Sequence, residues 1–325
     1  MRLEYVVLSV VAIVGALTAK AGDLSWGMVL ILFTINSLIV AFGFIHNDLA
    51  DEEIDGRGRT PEQRPLLSGM VSRREAWALA AACFAAGCVL HALMIGRLDS
   101  FIAMVAAFVF AALYNALGKK VYGADLFYGA SAASVAFCGF LAVREIGVES
   151  LWSSPLTLAF ALSTFSNNVF LNAILGGLKD VSLDRKAGVR TFAILTGVRD
   201  EGRLVIPRSF KFGAWTLRLT ALAACWVPVV TKVVEPGLAA LVFLSLGSLA
   251  VLKTTVELLR LKQWSRERIG KLSRRQEFLS RMLFVFLLFG HASYTMCAVV
   301  VLTPFLYFFV CMLIHKKAFH NPTTF

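Results

Sequence analysis

The chain has 325 residues, of which 58% are hydrophobic and 16% are charged, and its mean hydropathy is +0.73. A soluble domain carries about 25% charged residues, so this composition excludes an ordinary soluble fold. The net charge is +11, but the basic residues lie mainly between apolar segments, which indicates membrane topology and contact with anionic lipids and argues against a nucleic-acid partner. The six cysteines lie within apolar segments and lack the CxxC spacing of zinc sites.

Apolar windows of about 18 or more residues recur along the chain, and this is the length that crosses a bilayer as a helix. We therefore predict an all-α polytopic membrane protein in which residues 1–325 form a single domain. The N-terminal apolar segment is interpreted as a retained first helix rather than a signal peptide. A C-terminal tail, 304–325, follows the ninth span. The predicted spans are 3–20, 25–46, 75–95, 99–117, 123–143, 155–178, 213–232, 236–259 and 280–303.

The basic residues are distributed unevenly between the two sides of the predicted bundle. Connections after even-numbered spans hold 22 of the 32 Lys and Arg residues, whereas those after odd-numbered spans hold about four. The positive-inside rule therefore places the even-numbered connections in the cytoplasm. The connection at 260–278 is the clearest basic surface segment among them, and we predict a surface loop there that lies against anionic headgroups.

The connection after the second span, 46–74, contains the most acidic stretch of the chain. Asn47, Asp51 and Asp55 recur every four residues, so on a helix they share one face. Grouped carboxylates repel one another unless a cation lies among them, and oxygen ligands favour Mg²⁺ over Zn²⁺. This pattern indicates a metal site for a phosphorylated, lipid-like substrate. Three arginines suited to phosphate oxygens follow, namely Arg57, Arg59 and Arg64.

A second acidic motif begins the connection at 179–212, where Asp180 and Asp184 are again four residues apart. The same face extends back through Asn172 into the sixth span, and amides at that depth are costly unless they face a cavity. Two such motifs facing each other would hold about two or three Mg²⁺ on one diphosphate. An allylic diphosphate fits, because its ionisation gives a delocalised carbocation that apolar helices shield from water. Basic residues flank the motif, namely Lys179, Arg185, Lys186 and Arg190.

Both motifs resemble the signatures of the UbiA superfamily of intramembrane prenyltransferases. The segment NDLADEEID is similar to that family's NDxxDxxxD, and the residues that follow it, Arg64, Pro65, Ser68 and Gly69, also resemble the family's pattern. The segment DVSLD resembles the family's DxxxD, which is likewise followed by a glycine and a threonine, here Gly188 and Thr191. The resemblance implies about nine transmembrane helices bundled around a central cavity. It also implies Mg²⁺ dependence, an isoprenyl diphosphate donor and a lipophilic acceptor.

The resemblance also assigns roles to particular residues. Arg64 and Lys119 would contact the diphosphate with Tyr114 nearby, and Asn172, Lys179 and Arg190 are further candidates for substrate binding. The spacing Tyr114-x4-Lys119 is one residue longer than usual in the family, and the second motif has two acids where some relatives have three. Tyr128, Ser131 and Ser134 either line an acceptor pocket or serve helix packing. The metal and diphosphate site would consist of Asn47, Asp51, Asp55, Asp180 and Asp184.

The function predicted in this way is Mg²⁺-dependent transfer of a polyprenyl group to a prenylglyceryl phosphate or an aromatic quinone precursor. The segment 114–131 slightly favours the former, because it looks closest to archaeal-type enzymes. A terpene cyclase without acceptor and a membrane cation transporter are the alternatives, whereas a CDP-alcohol phosphotransferase is disfavoured because its DxxDG pattern is absent. The expected partners are donor, acceptor and membrane lipids, with no nucleic acid and no obligate protein partner. The active site is expected on the cytoplasmic side.

Overall fold

The structure is a computed structural model of the whole chain. It describes residues 10–19, 23–56, 65–144, 154–289, 291–303 and 305–306, except the side chains of Ile54 and Asp55. These ranges are called the described residues. The predicted C-terminal tail lies outside them apart from residues 305–306.

Helices account for nearly all the regular structure of the described residues, and they are numbered in chain order. One hairpin joins β1 (Arg199–Asp200) and β2 (Leu204–Val205), which pair antiparallel. A π-helix, Phe170–Gly176, lies between α6 and α7. The α-helices are α1 (Val11–Ala19), α2 (Trp26–Gly56), α3 (Arg73–Met94), α4 (Leu98–Leu117), α5 (Asp125–Val143), α6 (Pro155–Val169), α7 (Gly177–Lys186), α8 (Phe192–Leu195), α9 (Arg208–Val230), α10 (Leu238–Leu259), α11 (Arg266–Leu288) and α12 (Tyr294–Thr303).

Seven helical segments among the described residues are long and apolar enough to cross a membrane. They lie in α2, α3, α4, α5, the continuous run from α6 to α7, α9 and α10, and they coincide with predicted spans two to eight. An all-α, multi-pass membrane protein is therefore confirmed. The second and sixth of the predicted spans continue as helix into the two acidic motifs, because these motifs have no Pro or Gly to end a helix within their first turns.

The basic segment 260–278 is not a loop throughout, and that prediction is wrong beyond its first residues. Helix α11 begins at Arg266, where Ser265 Oγ accepts a hydrogen bond from the backbone N–H of Arg268 at 3.3 Å. Buried residues then recur at helical spacing from Ile269 onward, so the basic residues of the segment lie mainly on the exposed face. Predicted span nine, 280–303, is accordingly divided between the end of α11 and the separate helix α12.

The centre of the bundle is formed by α1, α5 and α6. In an apolar window of 18 residues, 56% of the residues are buried in α5 and 67% in the run from α6 to α7. The corresponding share is 22–39% in the other five candidate spans. Helices α1 and α5 approach closely because both have a glycine at the contact. A Cβ on Gly15 would collide with the carbonyl oxygen of Ala136, and one on Gly139 would collide with that of Ala12. Small residues of this kind allow backbones to touch within a membrane.

One buried cation ties three helices together at the level of the membrane. Arg218 on α9 is 1% exposed, and its Nη1 donates to Asn167 Oδ1 and to Ser280 Oγ, both at 2.8 Å. Its Nη2 donates to Gln276 Oε1 at 2.9 Å, and its guanidinium carbon lies 3.8 Å from the ring centroid of Phe170. Neutral acceptors and an aromatic face therefore surround this guanidinium group, which connects α6, α9 and α11, although its Nε has no hydrogen-bond partner among the described residues.

Candidate functional site

The first motif forms the last two turns of α2. Asn47 Nδ2 donates to Asp51 Oδ2 at 2.7 Å, so these two side chains lie on one face of the helix. The same carboxylate oxygen lies 2.9 Å from Lys119 Nζ, with the side chains 25% (Lys119) and 14% (Asp51) exposed. The side chain of Asp55 and all of Arg64 lie outside the described residues. An amide and an ammonium group thus hold one motif carboxylate in place.

The second motif lies on α7, directly after the π-helix. Asp184 is buried at 6% exposure, whereas the Asp180 side chain is 28% exposed and accepts a salt bridge from Arg266 Nη2 at 2.8 Å. The segment around Arg266 is anchored to the same helix, because Trp264 Nε1 donates to the carbonyl of Leu178 at 3.0 Å. The start of α11 therefore belongs to this region of the molecule and is more than a surface for lipid headgroups.

Lys119 connects the first motif with the segment that follows the second. Its ammonium group binds Asp51 of the first motif, while its backbone carbonyl accepts a hydrogen bond from the N–H of Arg190 at 2.9 Å. The turn after α4 thereby presents a cation to the end of α2. Lys179 is half-buried and the Arg190 side chain is exposed, and both belong to this end of the bundle.

A polar triad lies beside these motifs, with one member from each of three helical elements. Asn172 Nδ2, in the π-helix, donates to Tyr114 Oη at 2.7 Å and to Asp125 Oδ1 at 2.6 Å. The rings of Tyr114 and Tyr128 are 5.2 Å apart between centroids and tilted by 46°. The predicted residues Tyr114 and Asn172 are thus brought together by direct contact, although they are 58 positions apart.

A cavity extends from this end of the bundle into its interior. Asn47 and Tyr114 line it together with mostly apolar residues of α1, α2, α4 and α5. Asn168 also lines it, is 1% exposed, and keeps its Oδ1 without a hydrogen-bond partner among the described residues. The site therefore combines a polar mouth with a long apolar chamber.

The weaker candidates from the sequence divide into residues that line the cavity and residues that serve packing. Tyr128 and Ser131 line the cavity, and Ser131 Oγ also donates to the carbonyl of Ala107 at 2.8 Å, so it serves packing as well. Ser134 is buried but does not line this cavity. His46, which directly precedes the first motif, lies between the aromatic rings of α2 and α3 and is stacked on Phe42 at 5.6 Å between centroids, so its ring serves packing.

Sequence reasoning missed two charged residues of the site. In the sequence, Arg266 is one of several basic residues that set topology, and only its spatial approach to Asp180 distinguishes it from its neighbours. Asp125 lies outside both acidic motifs, in the segment that resembles archaeal-type enzymes. A carboxylate at the first turn of a predicted span is a weak signal, because acidic residues there commonly serve the helix N-terminus alone.

Comparison with known proteins gives the family. The sequence matches the model of the UbiA prenyltransferase family over residues 8–273. The chain belongs to this family. The digeranylgeranylglyceryl phosphate synthase of Ignicoccus hospitalis is 30% identical over 225 residues, which is 68% of each chain. The 4-hydroxybenzoate octaprenyltransferase of Pseudomonas savastanoi pv. phaseolicola is 32% identical over 173 residues, 52% of this chain and 53% of that enzyme. The match thus spans about half to two thirds of these relatives.

Solved structures of the UbiA family have the same fold. The apo structure of a UbiA homologue from Aeropyrum pernix gives a TM-score of 0.68 at 21% identity and covers 88% of this chain and 96% of its own. A UbiA homologue from Archaeoglobus fulgidus, bound to GPP and Mg²⁺, gives a TM-score of 0.59 at 16% identity, with 87% and 96% covered. The predicted family is therefore confirmed, together with its helical fold.

The residues present fit the Mg²⁺ expected for a UbiA protein by the chemistry of their donors. Among the described residues, no three His, Cys, Asp or Glu side chains converge into a metal cluster. Mg²⁺ needs no such cluster, since it is usually bound by one or two carboxylates, several waters and the phosphates of a substrate. Asp51 and Asp180 each pair with a cation of the protein, which is the arrangement expected of ionised oxygen donors.

Proposed function

We propose that the protein is a Mg²⁺-dependent prenyltransferase that transfers a polyprenyl group from an allylic isoprenyl diphosphate to a lipophilic acceptor and releases diphosphate. The observation that carries this proposal is the arrangement around Asp51, which binds Lys119 and accepts a hydrogen bond from Asn47, a residue that lines the apolar cavity. Family membership supports it, and so do the relatives named as prenyltransferases.

The two ends of the donor require opposite environments. Its isoprenoid tail would occupy the cavity, whose apolar lining excludes water from the reacting carbon. Its diphosphate would lie at the mouth, where Lys119, Lys179 and Arg190 would complement its negative charge. Arg64, which lies outside the described residues, is proposed as a further contact. Mg²⁺, when bound, would neutralise charge on the diphosphate oxygens. The residues that would hold it are Asp51, Asp55, Asp180 and Asp184, with Asn47 orienting Asp51.

The reaction that these residues favour begins with cleavage of the bond between C1 of the donor and the bridging oxygen. The electron pair leaves with the diphosphate, and positive charge develops on the allylic group. The rings of Tyr114 and Tyr128 line the cavity, and their aromatic faces would stabilise a positive charge placed beside them. An acceptor carbon or oxygen then forms the new bond to C1 and loses its proton to a weak base.

The acceptor is proposed to be a prenylglyceryl phosphate or an aromatic quinone precursor, with a slight preference for the first. One relative is named for each class. We place the site on the cytoplasmic side, because the basic connections lie at the same end of the bundle as both motifs. The surrounding lipids would supply both lipophilic substrates from within the membrane.

The test uses purified protein, radiolabelled geranylgeranyl diphosphate and Mg²⁺, with and without EDTA. Parallel reactions contain no acceptor, a prenylglyceryl phosphate, or 4-hydroxybenzoate. We expect a new labelled lipid only with an acceptor, and we expect EDTA to abolish it. A labelled terpene without acceptor would identify a cyclase instead. Intact donor in every reaction, across several chain lengths, would contradict the enzyme assignment and favour the cation transporter.

A further inference from the structure

The triad of Asp125, Asn172 and Tyr114 has a fixed direction of hydrogen bonding. Asn172 Nδ2 lies 2.6 Å from Asp125 Oδ1 and 2.7 Å from Tyr114 Oη. An ionised carboxylate only accepts hydrogen bonds, so the amide of Asn172 must turn its NH₂ group toward Asp125. This decides the orientation of the amide.

The orientation of Asn172 in turn determines what Tyr114 does. The second hydrogen of the same NH₂ group is donated to Tyr114 Oη, so the phenol oxygen acts as an acceptor there. The phenol's own hydrogen is then left for another partner, and no second hydrogen bond to Oη forms among the described residues. Because Tyr114 lines the mouth of the cavity together with Asn47, that hydrogen is available to a ligand in the cavity.

We propose that Asp125 is a positioning residue which, through Asn172, fixes the Tyr114 hydroxyl as a hydrogen-bond donor to the departing diphosphate. This inference rests on the proposed prenyl transfer. As the bond between C1 and the bridging oxygen breaks, the electron pair goes to the diphosphate, which accepts a hydrogen bond from Tyr114 without taking its proton. A donor held at the place where charge develops lowers the barrier without reorganisation during the reaction.

Asp125 could instead serve only the stability of α5. The residue is in the first turn of α5, where a negative charge stabilises the helix N-terminus. A role of that kind would act on folding and would not depend on Tyr114. The two roles therefore predict different outcomes when the carboxylate and the amide exchange places.

The experiment compares wild type, Asp125→Asn, Tyr114→Phe, Asp125→Asn with Tyr114→Phe, and the exchange variant Asp125→Asn with Asn172→Asp. In the exchange variant both hydrogen bonds of the triad are retained, but the carboxylate now adjoins Tyr114 and accepts the hydrogen bond that the phenol would otherwise donate to the diphosphate. For each protein, kcat and KM for the donor and the melting temperature are measured, and Mg²⁺ is kept saturating. Binding of a non-hydrolysable thiodiphosphate analogue of the donor gives a readout independent of turnover.

We expect Asp125→Asn to lower kcat about tenfold with KM and analogue affinity changed less than about threefold, the size expected for one hydrogen bond made in the transition state. The same substitution should cost nothing further in the Tyr114→Phe protein. The exchange variant should regain the melting temperature of wild type while its kcat stays at the level of Tyr114→Phe. Recovery of kcat in the exchange variant, or losses that multiply in the double variant, would overturn the positioning role. A wild-type protein without acceptor-dependent product would refute the prenyl transfer itself, which is a distinct result.

Discussion

Lys119→Ala tests the contact of the Lys119 ammonium group with the first motif, because the backbone hydrogen bond to Arg190 is retained in this variant. Its Nζ lies 2.9 Å from Asp51 Oδ2, and both side chains are mostly buried. Two unit charges at this distance attract by about 6 kcal/mol at an effective dielectric constant of about 20. Desolvation and side-chain ordering cancel most of this, and we take about 2 kcal/mol as the net value of such a contact. If the ammonium group serves the diphosphate equally well in the transition state, its loss should lower kcat/KM about 30-fold.

The assay measures kcat/KM for the donor at saturating Mg²⁺ and acceptor. Lys120→Ala is the matched control, because Lys120 is the adjacent lysine and is exposed. We expect the control to remain within about twofold of wild type, as is usual for an exposed surface position. Binding of Mg²⁺ without donor should not weaken in Lys119→Ala, since the ammonium group competes with a cation for the same carboxylate oxygen. A loss of less than about threefold, or an equal loss in the control, would refute the reasoning.

Three further predictions concern the metal site, the helix packing and the buried cation. Asp51→Ala and Asp184→Ala should each leave less than about a tenth of the activity, with an unchanged elution profile in detergent, because each removes an oxygen donor of the proposed site; higher activity in both would contradict the metal assignment. Gly139→Val should lower the melting temperature strongly, since its Cβ meets backbone, whereas Gly27→Val has open space and should change it little. Arg218→Leu should also lower the melting temperature, because at least two buried acceptors lose their donor at about 1–3 kcal/mol each, and an unchanged value would show that they find other partners.

Hydropathy is sufficient to predict most of the helices. Predicted spans 99–117 and 155–178 begin within one residue of α4 and α6, because a long apolar run bounded by polar residues leaves little choice in a membrane. The same criterion fails for 260–278, since α11 is stabilised there by a cap and by one buried face rather than by overall hydrophobicity. Charge density alone therefore does not distinguish a basic loop from a basic amphipathic helix.

Contacts within the site are predictable from the sequence where the residues repeat at helical spacing. Contacts between residues that are distant in the sequence are not predictable in this way. Asn47 and Asp51 share a face by their spacing of four, and the structure has them in contact. The contacts of Arg266 with Asp180 and of Asp125 with Asn172 join residues 86 and 47 positions apart. Such contacts depend on how helices pack, which one sequence without relatives does not reveal. The roles assigned to the motif residues stay predictions.

The π-helix between α6 and α7 determines where along this chain a change of length is tolerated. Phe170–Gly176 has the wider i to i+5 turn that one inserted residue produces in an α-helix. The wide turn absorbs the extra residue, so removing one residue there would restore the α-helical turn and leave the rotation of α7 relative to α6 nearly unchanged. One residue added between Gly177 and Asp180, where the turn is α-helical, would instead rotate Asp180 and Asp184 by about 100° about the helix axis. Both carboxylates would then point away from the partners that they now meet.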